Sequence, residues 1–73
     1  MKHELIEINP KVMGGKPVIK GTRLTVELIL RELGGGMPVE EMLAQHPRLT
    51  ADAIRAAQAF AADYLTSDEP IFG

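Results

Sequence analysis

The sequence predicts a mainly α-helical domain, in which a short N-terminal β arm is followed by three helices. Two short apolar segments near the N-terminus are bounded by glycine and proline turns, as short strands are. Apolar residues then recur at helical spacing in three later stretches, which Gly34-Gly35-Gly36 and His46-Pro47 separate. We therefore divide the chain into a β arm (1–24), a three-helix core (25–66) and a C-terminal tail (67–73).

The arm contains two candidate strands. Leu5–Ile8 is apolar and ends at a turn, and Gly14-Gly15 allows a second reversal of the chain. Pro17–Lys20 is the second extended segment, and Pro17 must stand at a strand start or on an edge strand because it cannot donate a backbone hydrogen bond. Since two isolated strands are marginal in water, the arm must pack on the helices or pair with another subunit.

Each predicted helix has its own start signal and apolar face. Thr25 and Thr50 are suitable N-caps for helices one and three, and Pro38 is suited to the first turn of helix two. Leu28 lies off the apolar stripe of helix one, either as an ordinary exposed leucine or as part of a second contact surface. The predicted inner faces are Val26, Ile29, Leu30 and Leu33; Val39, Met42 and Leu43, with His46 as a further candidate; and Ala53, Ile54, Ala57, Phe60, Ala61, Tyr64 and Leu65.

Helices two and three, joined by a tight turn, match the plan of a helix-turn-helix. A three-helix packing without a nucleic-acid function is the alternative. If DNA is bound, Arg55 and Gln58 on the outer face of helix three resemble residues that recognise guanine and adenine, and Arg48 in the turn is a phosphate-binding candidate.

Size, composition and charge favour a dimeric cytoplasmic protein. A chain of 73 residues is near the lower limit for a self-sufficient core, and it has no cysteine for disulfides, so we expect a homodimer. The net charge is −2, but residues 1–25 carry an excess of cations, which predicts a basic arm on an acidic helical body or a chance clustering of surface charges. No secretory signal or membrane-spanning stretch is evident, and we expect no membrane partner.

The sequence lacks the combinations of residues that build an active site. Lys16 follows two glycines, but Pro17 takes the place of the Ser or Thr that a phosphate-binding loop requires. Glu40 and Glu41 are adjacent and so point to different parts of the helix surface, which means that the two carboxylates cannot share one proton-transfer site. The two histidines are too few and too far apart for a metal cage. We therefore expect no enzyme activity, catalytic residue, metal or cofactor.

Two further segments are candidates for binding. Thr22 and Arg23 follow a glycine just before helix one, where they could hold a phosphate or tie the arm to carboxylates of either subunit; we favour the second, with Leu28 in the same arm-anchor or dimer interface. The tail carries an apolar pair flanked by carboxylates, which could dock on a partner or, through Phe72, cap the core. Its candidate partner-binding residues are Asp68, Glu69, Ile71 and Phe72.

The block from Gly14 to Arg23, followed by an aliphatic helix, resembles the bacterial domain-of-unknown-function family 433. The resemblance extends over roughly residues 6–65, with Pro38 in place of a capping Ser or Thr and His46 in place of a tyrosine. It implies a homeodomain-like helix-turn-helix fold with a β arm, and members often resemble antitoxins encoded beside a PIN-like ribonuclease. The resemblance thus implies a type II antitoxin that binds and neutralises a PIN-like ribonuclease toxin and, as a dimer, binds the operator DNA of its own gene. A stand-alone DNA-binding regulator and a structural dimerisation module are the alternatives.

Overall fold

The computed structural model of the chain describes residues 3–66. Its described part confirms a mainly helical fold with three helices and a short N-terminal β-hairpin. None of the helices in residues 3–66 is long and apolar enough to cross a membrane. The elements are β1 (Ile6–Glu7), a 3₁₀ turn (Met13–Gly15), β2 (Val18–Ile19), α1 (Val26–Gly34), α2 (Val39–Gln45) and α3 (Ala51–Thr66).

The hairpin packs on the helical core through β2 and is hydrogen-bonded to the start of α1. β1 and β2 are antiparallel, with Ile6 opposite Ile19 and Glu7 opposite Val18. Pro17 directly precedes β2, as predicted, and its carbonyl accepts a hydrogen bond of 2.9 Å from the backbone N–H of Val26, the first residue of α1. Because both residues of β2 are buried, packing on the helices of the same chain already covers this strand.

The three helices and β2 share one core, and the predicted threonine caps start two of these helices. Thr25 Oγ1 accepts a hydrogen bond from the backbone of Leu28, and Thr50 Oγ1 accepts one from that of Ala53, each at 3.0 Å. Pro38 caps α2 without a side-chain hydrogen bond. The buried core residues are Ile19, Val26, Ile29, Met42, Leu49, Ala53, Ile54 and Ala57.

Parts of two predicted apolar faces lie outside this core. Val39, expected to be inside, is 42% exposed, because it opens a short helix in which Met42 alone is buried. Tyr64 and Leu65 are 67% and 70% exposed. α3 has 16 residues and α1 only 9. At 1.5 Å per residue these lengths are about 24 and 14 Å, so α1 cannot cover the whole length of α3.

Candidate binding surfaces

The outer face of α3 carries two of the residues predicted to bind DNA. Arg55 and Gln58 are exposed and lie about one turn apart on the side opposite the core. Asp52, one turn earlier, forms an ion pair with Arg55. Both side chains of this pair are mostly in solvent, where such a pair is weak. Arg55 can therefore exchange Asp52 for another partner at little cost.

A second surface is a cleft of about 580 Å³ between the turn that follows β2 and the turn that joins α2 to α3. We call it the arginine cleft, because two arginines from distant parts of the sequence line it. Its lining residues are Glu7, Val12, Gly21, Thr22, Arg23, Leu24, Gln45, His46, Pro47 and Arg48.

Local hydrogen bonds shape the arm side of the arginine cleft. Gly21 has a φ of +82°, which a residue with a Cβ atom rarely adopts. Thr22 Oγ1 donates to the carbonyl of Ile19 at 2.7 Å and accepts from the backbone N–H of Leu24 at 3.0 Å. These bonds close a tight turn at the end of β2. The turn leaves Arg23 exposed at the mouth of the cleft.

The link between the arm and the α2–α3 turn comes from Arg48. Its Nη1 donates a hydrogen bond of 2.8 Å to the carbonyl of Gly21. The sequence pattern predicts that Arg48 contacts a DNA phosphate and that Arg23 anchors the arm. In residues 3–66, Arg23 has no hydrogen bond or ion pair. The two arginines thus share one cleft, with Arg48 fixed across it and Arg23 open to solvent.

The third surface is an apolar groove of about 910 Å³ between the hairpin, α1 and the second half of α3. Ile8, Tyr64 and Leu65 are the most exposed large apolar residues along it. Its lining residues are Ile8, Gly15, Pro17, Val26, Glu27, Leu30, Arg31, Phe60, Ala61, Tyr64 and Leu65.

Charged side chains bridge the hairpin and α1 at one edge of the apolar groove. Glu27 forms ion pairs with Lys16 at 3.0 Å and with Arg31 at 3.2 Å. The hydrogen bond from Lys16, followed by that from Arg31, holds the pKa of Glu27 below its ordinary value. Since the folded pKa is lowered, this small stabilisation is complete above the ordinary pKa of a glutamate and is lost as the pH falls through the folded pKa.

The start of the arm is fastened to the second half of α3. His3 Nε2 lies 2.9 Å from Asp63 Oδ2, and the imidazole meets the ring of Phe60 edge-on with 5.3 Å between the ring centroids. Phe60 in turn stacks on Tyr64 at 6.3 Å. These contacts hold the aromatic part of the groove wall in place.

Comparison with known proteins identifies the family. The model of the family described as "Protein of unknown function (DUF433)" matches residues 6–61. The chain belongs to this family. It is 37% identical over 71 residues to the uncharacterized protein y4eO of Sinorhizobium fredii. That alignment covers 96% of this chain and 32% of y4eO. The crystal structure of a DUF433 member from Anabaena variabilis superposes with a TM-score of 0.78 at 36% identity, covering 81% of this chain and 58% of that one.

This DUF433 chain therefore spans about a third of the length of y4eO and somewhat more than half of the Anabaena protein.

The remaining predicted site residues of the chain lie outside the arginine cleft and the apolar groove or outside the described residues. Leu28 is 36% exposed on α1 and lines neither the arginine cleft nor the apolar groove. The predicted partner-binding residues Asp68, Glu69, Ile71 and Phe72 lie outside the described residues.

The features of this DUF433 domain that were not predicted from the sequence include the following two. The apolar groove was hidden because Tyr64 and Leu65 fit the apolar stripe of α3, although the length of α3 relative to α1 is a usable signal. The second is a polar contact between α1 and the α2–α3 turn, in which His46 Nε2 lies 3.5 Å from Glu32 Oε1. The two residues are far apart in sequence, and no local pattern joins them.

Proposed function

We propose that this chain is the antitoxin of a type II toxin–antitoxin system, which binds and neutralises a PIN-like ribonuclease. The apolar groove is the observation that carries the proposal. Soluble monomers rarely expose large contiguous apolar surfaces, and those that do commonly use them to bind proteins. Ile8, Tyr64 and Leu65 supply such a surface beside charged residues that can fix the orientation of a partner. The nuclease class of the partner follows from the family resemblance.

The test is a titration against the nuclease encoded beside the gene. Cleavage of a single-stranded RNA by the purified ribonuclease should stop when the antitoxin reaches an equimolar amount. Bovine serum albumin at the same concentration serves as the protein control. Full cleavage in a large excess of this chain would reject the antitoxin function, and retained operator binding would then favour a stand-alone regulator.

The proposal includes operator binding, which the arrangement of α2, the turn and α3 supports. Arg55→Ala should lower operator affinity by about 5- to 150-fold, since a bidentate arginine–guanine contact contributes about 1–3 kcal/mol. Fluorescence anisotropy with a labelled duplex from upstream of the gene measures this. Arg31→Ala on α1 removes the same charge elsewhere and is the matched control. If Arg55→Ala folds normally and binds as tightly as the wild type, α3 does not recognise the operator bases.

We further propose that the chain acts as a homodimer, because helix-turn-helix dimers bind two DNA half-sites about one helical turn apart. Light scattering at micromolar concentration should give twice the chain mass of 8.0 kDa. Leu28→Asp should shift this mass toward the monomer, whereas Val39→Asp, which also charges an exposed apolar position, should not. A monomer mass for the wild type would contradict the dimer.

A further inference from the structure

The lysines and arginines of residues 3–66 fall into two groups. Lys16 and Arg31 pair with Glu27, and Arg55 pairs with Asp52. The others have no carboxylate partner within the described part of the chain; they are Lys11, Lys20, Arg23 and Arg48. In a protein of net charge −2, this separation leaves a local concentration of uncompensated positive charge.

Two of the uncompensated cations lie in the arginine cleft, and the other two stand next to its lining residues in the sequence. Arg23 and Arg48 line the arginine cleft. Lys20 directly precedes Gly21 and Lys11 directly precedes Val12, which are both lining residues, and both lysines are exposed. Glu7 is the carboxylate that the lining contains. Two further carboxylates contact lining residues, Glu41 at Gln45 and Glu32 at His46. The lining itself therefore combines two arginines with one carboxylate.

We propose that the arginine cleft binds the sugar-phosphate backbone of DNA, with Arg23 and Arg48 contacting phosphates. The inference rests on the operator-binding part of the proposed function and extends the DNA interface from α3 to the N-terminal arm. Arg48 is already oriented by Gly21, and its guanidinium keeps further N–H donors for a phosphate oxygen. Arg23 is exposed, and within residues 3–66 it has no hydrogen bond or ion pair to give up.

Two observations favour a nucleic-acid backbone over an acidic protein segment. A single carboxylate is satisfied by one arginine fork, whereas two arginines from different segments of one cleft suit successive phosphates. The cleft also lies at the start of α3, because Arg48 stands two residues before Thr50, whose side chain caps that helix. Phosphate contacts there would set the position of Arg55 and Gln58 on the duplex, which is the usual division between contacts that position and contacts that specify.

The experiment measures affinity for the operator duplex and for an unrelated duplex of equal length at several salt concentrations. Arg23→Ala should weaken binding to both duplexes by about the same factor and reduce the slope of log K against log salt by about 0.9. Arg48→Ala should act likewise. Since it also removes the hydrogen bond to Gly21, Arg48→Lys, which keeps the charge, should restore most of the slope. Arg31→Ala is the control for loss of charge and should change neither quantity.

Each result decides the inference. An Arg23→Ala protein with wild-type affinity and slope on both duplexes overturns it. If the Arg23 and Arg48 variants keep DNA binding but bind the ribonuclease less tightly, the cleft is a protein site, and the inference is equally overturned. If the wild type binds neither duplex, the inference fails, and the parallel RNA-cleavage titration then shows separately whether the antitoxin function stands.

Discussion

Replacing Ile29 by alanine should destabilise the domain by about 2–5 kcal/mol. Ile29 is 1% exposed and belongs to the core shared by the hairpin and the three helices. The substitution removes buried methyl groups and leaves a cavity that the short surrounding helices can fill only in part. A chain of 73 residues has a total stability of about 4–11 kcal/mol, so the substitution should remove a large share of that stability.

Urea unfolding followed by circular dichroism measures this loss, and an exposed apolar residue outside the proposed dimer interface supplies the control. Val39 opens α2, and its side chain is 42% exposed. Val39→Ala should therefore cost less than about 1 kcal/mol, as surface substitutions usually do. Equal losses for the two variants would mean that α1 does not present Ile29 to the core.

Replacing Leu65 by aspartate should abolish most ribonuclease binding while leaving the domain folded. Leu65 is 70% exposed and lines the apolar groove, so its side chain contributes little to the core. We expect Leu65 to be a hot-spot residue, and truncation of such a residue costs at least about 2 kcal/mol, which corresponds to roughly a 30-fold loss of affinity. Isothermal titration calorimetry with the ribonuclease measures the change.

Ala62→Asp is the matched control for Leu65→Asp. Ala62 is exposed on the same helix but does not line the groove. Both variants place a carboxylate near the C-terminal end of α3, so the unfavourable interaction with the helix dipole is common to them. If the two variants bind the ribonuclease equally well, the partner does not use the apolar groove.

Local signals made the helices predictable. The caps at Thr25 and Thr50 depend on hydrogen bonds to residues three positions later, and the breaks depend on glycine and proline at the breaks themselves. The burial of Val26, Ile29, Ala53, Ile54 and Ala57 follows from spacing within one helix. Such features require no knowledge of how the helices pack.

The binding surfaces were harder to predict because packing between distant segments creates them. Arg48 and Gly21 are 27 positions apart, so their hydrogen bond and the arginine cleft beside it leave no trace in a local pattern. For the apolar groove, the spacing of apolar residues identified the side of α3 on which Tyr64 and Leu65 lie. It carried no information on whether another element covers that side.

The contact between His3 and Asp63 has a consequence for how the domain can be built into a longer protein. It brings the first described residue beside a position three residues before the end of α3. The two ends of the described segment are thus neighbours, as in modules that tolerate insertion into, or fusion to, other domains. The arginine cleft lies at the opposite end of α3, away from both ends of that segment.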